Sequence, residues 1–537
     1  MIKLGFSQIM ITVAVMICIF MSSLDISIVN VAIPTIRGAI GVSISEATWI
    51  STSYMLANVI IMPAINFLTS MFGKTRCFFA GVLLFGIGSF MCGFAWNLES
   101  IIIFRVLQGI GGGALIPLSQ AILRETFPPN EQAKAMSFFG IGIVLGPGLG
   151  PTIGGWITDN ISWNWIFYIN IPFVIIDLIL IFIFILNKSE KFSKGIKIDY
   201  FGLITMALGL GALQVMLEKG QENNWFSSQF IVNLAIVAAI SLILFAIREF
   251  TCEKPAVNLK LLKNFGFSNP TVIQGIFGMG LFAGLFLVPI LFQESLGYSA
   301  TEAGIAMIPR SISMAMFMPI AGKLYNRTGP KKMIMFAAAL ISLSFLPLSF
   351  MSLDTSAWDL FWPQFVQGIA FAFIFVSLST VALMALDRKD IVSGAGIFNL
   401  VRVLCGSIGT AVFATELENY QIINRAYLTE HIVTNSPYTV QGFMTNPATL
   451  LSPFTTSPAI TNFFAGMNQV LMMQGASAAD LQNKAYAMLS NFVDRQALIM
   501  SFNNVFFTLC LLFCIAFLLS LFIVEKKSSW HRDGESK

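Results

Sequence analysis

"GIGIVLGPGLGPTIGGWI", residues 140–157, has the hydropathy of a membrane helix, yet it carries seven glycines and two prolines, Pro147 and Pro151. In water such residues would end a helix. Inside a bilayer protein, neighbouring helices can re-satisfy the backbone groups that proline disrupts. Gly142, Gly146, Gly150 and Gly154 recur every fourth residue, so one flank of this helix has almost no side chain. A second helix can approach that flank until backbones touch. Two readings follow: a tightly packed helix pair, or a bend and a seam that must seal and slip. One pair of small residues would suffice for packing alone, so the length of the stripe favours the seam.

The rest of the chain fits a membrane setting. Of 537 residues, 56% are hydrophobic and 11% charged, too few polar side chains to coat soluble domains. Apolar runs recur from end to end, each long enough to cross a hydrocarbon core of roughly 30 Å as a helix. Spans are expected near 10–33, 47–68, 77–95, 99–123, 136–158, 165–187, 199–217, 229–250, 266–292, 303–322, 333–352, 359–383, 394–415 and 499–523. With both termini on the inner side, inner segments collect 23 of the 31 basic residues and outer segments only Arg37, Lys219, Arg425, Lys484 and Arg495. That asymmetry is the one expected of cytoplasmic loops, and adding or removing a span would scramble it.

The net charge of +4 therefore reflects orientation in the membrane and gives no reason to invoke nucleic acid. The first span carries Asp25 and reads as a retained helix, not a removed signal. Seven cysteines without a C-x-x-C pair read as free thiols. The division expected is 1–187 as a first six-helix bundle, 188–265 as a basic linker with two additional helices, 266–523 as a second bundle, and 524–537 as a cytoplasmic tail. Within the second bundle, the outer segment 416–498 is far longer than ordinary loops. Its second half looks helical, with Ser477 and Asp480 spaced as a capping box, and it reads as a docking surface or a passive cover. "NFLTSMFGKTR" (66–76) and "GKLYNRTGPKK" (322–332) echo one another, each a basic cluster around a glycine just inside the membrane.

Enzymatic readings find little material. "GKT" at 73–75 lacks the first glycine of a phosphate loop, since position 68 is Leu68. "GIGGGA" at 109–114 lies in an apolar span, where its small residues suit close helix contact better than dinucleotide binding. Two histidines, His431 and His531, are too few for a histidine metal site or a Ser-His-Asp hydrolase. No cofactor is expected.

Taken in order, the motifs resemble a known family. "GIVLGPGLGPTIGGWI", which includes Gly155, looks like the antiporter motif of the fifth span in major facilitator superfamily exporters. "LDISIVNVAIPTI" (24–36), with Asn30 and Pro34, resembles the first-span motif of fourteen-span drug:proton antiporters of the EmrB/QacA type. "RVLQGIGGGALIPL" (105–118), "WNWIFYINIP" (163–172) and "GIFNLVRVLCGSIGTAV" (396–412) resemble the fourth, sixth and thirteenth spans; the long outer segment is closer to the EmrB side. The loop after the second span departs from the pattern with Asn66, Ser70 and Met71, keeping Gly73, Lys74 and Arg76. Its second-half counterpart, Gly322, Asn326, Arg327, Gly329, Lys331 and Lys332, is closer to form. The resemblance implies an all-α integral membrane protein with the major facilitator fold, two six-helix bundles plus two extra transmembrane helices. It also implies a bacterial inner-membrane location, an EmrA-type periplasmic adaptor and an outer membrane channel.

Charges inside spans cost several kcal/mol unless paired or facing water, so each is a candidate functional residue. Asp25 is the candidate for taking up and releasing the proton, or else a fixed partner of a neighbouring span. For Arg105 the resemblance implies a part in proton transfer, against a structural ion pair. Asp177, in none of the motifs, faces a wet cavity or pairs nearby. Arg310 and Arg402 attract an anionic substrate group or anchor helix contacts. The activity expected is proton-coupled export of amphipathic, drug-like compounds by alternating access. The rivals are export of one metabolite such as a siderophore or fatty acid, and a non-transporting membrane sensor or scaffold.

Overall fold

The computed structural model describes residues 5–128, 131–186, 199–252, 257–434 and 478–523. Among them are fourteen helices long and apolar enough to cross a membrane. They are α1 (Phe6–Ile40), α2 (Ser45–Phe72), α3 (Lys74–Gly93), α4 (Leu98–Thr126), α5 (Gln132–Asn160), α6 (Trp165–Phe184) and α7 (Tyr200–Lys219). The second half holds α8 (Gln229–Thr251), α9 (Phe265–Ser295), α10 (Glu302–Thr328), α11 (Pro330–Phe350), α12 (Trp358–Met384), α13 (Arg388–Glu430) and α14 (Ser490–Ser520). Every expected span is present, each close to its expected place.

Local chemistry sets the helix ends. On the membrane face opposite the N-terminus, α4, α10 and α12 start with capping boxes: Asn97 with Ser100, Ser299 with Glu302 and Ser356 with Asp359. On the N-terminal face, a single glycine joins α2 to α3 and another joins α10 to α11. Gly73 has φ 87° and ψ 149°, and Gly329 has φ 81° and ψ 156°, a region essentially closed to residues with a Cβ. The sequence echo between 66–76 and 322–332 is thus the same backbone turn built twice.

The repeat extends to packing. In the first half α1 lies on α5, α2 and α3 on α4, and α3 on α6; in the second, α9 lies on α13, α10 and α11 on α12, and α11 on α14. The halves meet through α5 against α10 and α2 against α13, two contacts that the same two-fold relation exchanges. The additional pair α7 and α8 pack on each other, and α7 touches both α2 and α13. There Glu218 accepts from Thr52 at 2.8 Å, and Gln214 donates to Ser407 at 2.9 Å.

The glycine stripe of α5 has α1 as its partner. A Cβ at Gly146 would stand 2.5 Å from the Leu24 nitrogen, and one at Gly150 2.5 Å from Ser27 Oγ. At Gly154 it would meet Ile28 at 2.8 Å, and at Gly142 the Met16 carbonyl at 3.2 Å. Pro151 has no N–H to offer the Pro147 carbonyl one turn earlier. Ser27 of α1 donates to that carbonyl instead, at 3.4 Å, which is how a neighbouring helix tolerates the proline. Glycines on the other flank serve α10: a Cβ at Gly148 would stand 2.6 Å from Ser311, and one at Gly140 2.4 Å from Met318. Gly155 has nothing within 4 Å.

The segment 416–498 differs from an ordinary loop in a way that lipid-length reasoning misses. The α-helix that forms most of α13 runs unbroken over Ile391–Thr434, past the end of the span, and the last helix begins at Ala478 and continues through α14. The helical reading of its second half therefore holds, while residues 435–477, Ser477 among them, lie outside the described residues. The two extensions are joined by the Arg425–Asp494 ion pair at 2.7 Å and by Asn424 donating to Ser501 at 3.0 Å.

These contacts make the glycines of the motif unequal. Gly146→Ala should lower the melting temperature of the detergent-solubilised protein, an overpacking that costs about 1–3 kcal/mol. Gly155→Ala should leave it unchanged. Equal effects of the two substitutions would contradict the α1–α5 seam.

Candidate functional site

Asp25 has no solvent exposure, and three side-chain donors from two other helices reach it. On α1 it lies on the same flank as Ser22 and Val29, facing α4 and α6. From α4, Arg105 Nη1 donates to Oδ2 at 2.5 Å and Gln108 Nε2 donates to Oδ1 at 2.7 Å, the two residues standing one turn apart. From α6, Asn170 Nδ2 donates to Oδ1 at 3.3 Å and to Ser89 Oγ of α3 at 3.1 Å. Ser89 in turn donates to the Phe167 carbonyl at 2.8 Å.

Arg105 is 1% exposed and held from every side. Its Nε donates to the Ile50 carbonyl of α2 at 3.1 Å, and Nη1 also reaches Gln108 Oε1 at 2.8 Å. The Tyr54 ring centroid lies 4.3 Å from the guanidinium carbon, within cation–π range. The close approach of α2 and α4 depends on glycine: a Cβ at Gly109 would fall 2.5 Å from the Tyr54 carbonyl, and one at Gly113 2.7 Å from the Asn58 carbonyl. "GIGGGA" is therefore a helix-contact stripe, as its apolar setting implied.

The two charges singled out separately in the sequence are one ion pair, whose polar shell spans α1, α2, α3, α4 and α6. Sequence reasoning missed Gln108, Asn170, Tyr54 and Ser89. Gln108 and Asn170 sat in plain view inside "RVLQGIGGGALIPL" and "WNWIFYINIP", but a neutral amide in an apolar run does not stand out as a charge does. Chemically, a proton added to Asp25 removes the negative charge that Arg105 faces and turns an acceptor into a donor. The pair and its polar shell connect five helices.

The other singled-out residues fall elsewhere. Asn30 accepts from Ser51 Oγ at 2.5 Å at the start of α2, and Pro34 lies exposed within α1. Asp177 is fully buried on α6, and neither carboxyl oxygen has a hydrogen-bond partner among the described residues. Its neighbourhood includes the Cys18 thiol of α1. Arg310 and Arg402 are each 4% exposed in the second half, with neighbours from α9 and α12. In the loop motifs, Lys74 forms an ion pair with Glu125 at the end of α4. Gly322 lies against the Ala133 carbonyl of α5, where a Cβ would come to 3.0 Å. Arg327 joins Glu131 and Lys134 around a pocket on the N-terminal face, and Arg76, Lys331 and Lys332 lie on that face.

Removing one member of a buried ion pair strands the other, a loss of about 3–5 kcal/mol. Arg105→Gln and Asp25→Asn should each lower thermal stability, and the double variant should lose clearly less than the sum. Strict additivity would mean that the two groups do not interact.

A family model described as the Major Facilitator Superfamily matches residues 15–410. The chain is 37% identical over 430 residues to the multidrug export protein EmrB of Haemophilus influenzae, covering 80% of this chain and 84% of that one. It is 34% identical to the fatty acid resistance protein FarB of Neisseria gonorrhoeae, over 79% of this chain and 84% of FarB. The proton:xylose symporter XylE, solved with 6-bromo-6-deoxy-D-glucose, superposes with a TM-score of 0.56 at 15% identity, covering 80% of this chain and 91% of XylE, a likeness of fold. The fourteen-span architecture, the twinned glycine turns and the matched sequences lead to one conclusion: the chain belongs to the major facilitator superfamily, as a multi-pass membrane transporter related to the EmrB multidrug exporters.

Proposed function

We propose that the protein exports amphipathic compounds in exchange for protons, with Asp25 as the proton-carrying group and Arg105 as the partner that reports its state. The observation that carries this reading is the fully buried Asp25–Arg105 pair, the point at which a proton can act on five helices at once. When Asp25 is ionised, the donors from α4 and α6 hold the first bundle in one arrangement. When it is neutral, Arg105 loses its counter-charge and the α4–α1 contact loosens. Each charge moved across the membrane contributes about 2.3 kcal/mol per 100 mV, enough to drive uphill export without ATP.

The seam supports the same reading. The α5 helix faces α1 with one flank and α10 of the second half with the other, so a shift of α1 at Asp25 reaches the boundary between the bundles. The names of EmrB and FarB favour hydrophobic or amphipathic cargo for this chain. The distribution of basic residues favours cytoplasmic termini in a bacterial inner membrane. The paired extensions of α13 and α14, on the face opposite the N-terminus, suit a periplasmic adaptor of the EmrA type leading to an outer membrane channel.

Asp25→Asn keeps size and hydrogen-bonding capacity but cannot titrate. In inverted vesicles it should bind substrate and fail to accumulate it on an imposed pH gradient. Gradient-driven uptake at wild-type rates would move the coupling site elsewhere, with Asp177 next to test. For the adaptor, replacing residues 436–476 with a short flexible linker should spare transport in vesicles and reduce resistance in cells. Equal loss in both assays would mean that the segment serves the transporter itself.

A further inference from the structure

Two turns beyond Asn170, on the same face of α6, a second carboxyl group lies in the membrane interior outside the Asp25–Arg105 network. Asp177 has no solvent exposure, and neither of its oxygens has a hydrogen-bond partner among the described residues. Ionisable side chains around it are few. The Cys18 thiol of α1 lies near it, with Ser119 of α4 beside that thiol. On α3, the other helix packed along this part of α6, ionisable residues lie only toward the ends: Lys74, Arg76 and Cys77 at one, Cys92 at the other. An isolated charge in such surroundings is costly, so the group is held here as the neutral acid. Asp25 is the reverse: a guanidinium and two amides donate to it, which suits the carboxylate.

Helix register puts the two acids in line. The α1 and α6 helices run antiparallel, with the Phe6 and Phe184 rings 5.9 Å apart, Phe20 and Phe173 6.2 Å apart, and Asn170 donating to Asp25 at 3.3 Å. In that register Cys18 falls opposite Asp177. On α1, Val15, Cys18, Ser22 and Asp25 share one flank, and on α6 Asn170, Val174, Asp177 and Ile181 share another. Asp177 is as many residues from Asn170 as from Phe184, roughly 10 Å along the helix from each. It therefore stands midway between Asp25 and the N-terminal face. Between the two acids come Ser22 and Val174, and between Asp177 and that face come Val15 and Ile181, all of them buried.

Resting on the reading of Asp25 as the proton-carrying group, we propose that Asp177 is a second proton site in series with it, on the way to the N-terminal face. The structure then corresponds to one stage of the passage, with Asp25 ionised against Arg105 and the proton on Asp177. The step before it breaks the Asp25 O–H bond and forms the Asp177 O–H bond, through water that enters as α1 and α6 part. Negative charge moves the opposite way, from Asp177 to Asp25, where Arg105 receives it. Release to the N-terminal face requires Val15 and Ile181 to separate, so that water reaches the carboxylate left behind. A bare Asp177 carboxylate opposes closure of the α1–α6 interface, which therefore closes only once a proton has arrived.

Two measurements on the full chain test the second site. In infrared difference spectra of the protein in lipid nanodiscs at neutral pH, wild type minus Asp177→Asn should show the C=O stretch of one buried carboxylic acid, and Asp25→Asn should retain that band. In proteoliposomes with the membrane potential clamped, labelled tetraphenylphosphonium serves as the probe. Asp177→Asn should keep exchange of labelled for unlabelled compound, which needs no net proton movement. Its accumulation on a pH gradient should fall about 100-fold, within the range of a positioned proton carrier. Asp177→Glu should recover part of the accumulation with a shifted pH profile. Asp177→Asn swaps one neutral buried group for another and should melt near wild type; if it fails to fold, Asp177→Glu and the frequency shift of its acid band carry the test. Absence of the acid band from wild type would overturn the second site, as would wild-type accumulation by folded Asp177→Asn or its equal loss of exchange and accumulation. Failure of the exporter reading appears separately, as wild type that accumulates nothing on the gradient while the Asp177 band persists.

Discussion

A carboxylate and a guanidinium in contact, both shut off from water, constrain the first half of this transporter more than any other feature. Leaving either alone in the membrane interior is costly, so the helices that carry them must be held in one register. That register is set by residues with almost no side chain. The glycines of α5 bring α1 in, those of α4 bring α2 in, and the resulting backbone distances let Arg105 reach both Asp25 and the Ile50 carbonyl. Ser27 repairs the carbonyl that Pro151 leaves without an internal donor, so the same α1–α5 seam stabilises a helix that carries two prolines. The polar network and the glycine packing are two halves of one constraint.

The two-fold repeat makes the chemical asymmetry between the halves plain. Gly73 and Gly329 build the same turn, and the contacts of α1 with α5 return as α9 with α13. The charges do not repeat. The first half holds the compensated Asp25–Arg105 pair and the buried Asp177, whereas Arg310 and Arg402 of the second form no ion pair among the described residues. In the proposed function the proton acts on the first half and the second half must follow. The α5 and α10 helices, packed on each other across the boundary, connect them. The α7 helix adds a second connection on the opposite face, bonding to Thr52 of α2 and Ser407 of α13.

Much of this was legible in the sequence, for identifiable reasons. Hydropathy revealed the spans because a bilayer demands apolar runs of a set length. Asp25, Arg105, Asp177, Arg310 and Arg402 stood out because charge is rare in such runs. The four-residue spacing of the α5 glycines announced a close contact, though not that α1 would supply it, since any helix can occupy a bare flank. Gln108 and Asn170 were hidden by neutrality, and Tyr54 by its ordinary place in an apolar run. Pairing of Asp25 with Arg105 required knowing which helices are neighbours. Membrane-length reasoning also stopped the thirteenth span near 415, whereas the helix continues to Thr434, because nothing in the bilayer's thickness limits a helix beyond the lipid.

The central claim is that export is coupled to the proton carried by Asp25. Its most direct measurement is proton release from unbuffered, detergent-solubilised protein when a non-titrating amphipathic cation such as tetraphenylphosphonium is added, followed with a pH-sensitive dye. The account predicts a release from wild type that disappears in Asp25→Asn while the compound still binds. Release of equal size from Asp25→Asn, or binding by wild type with no release, would contradict it.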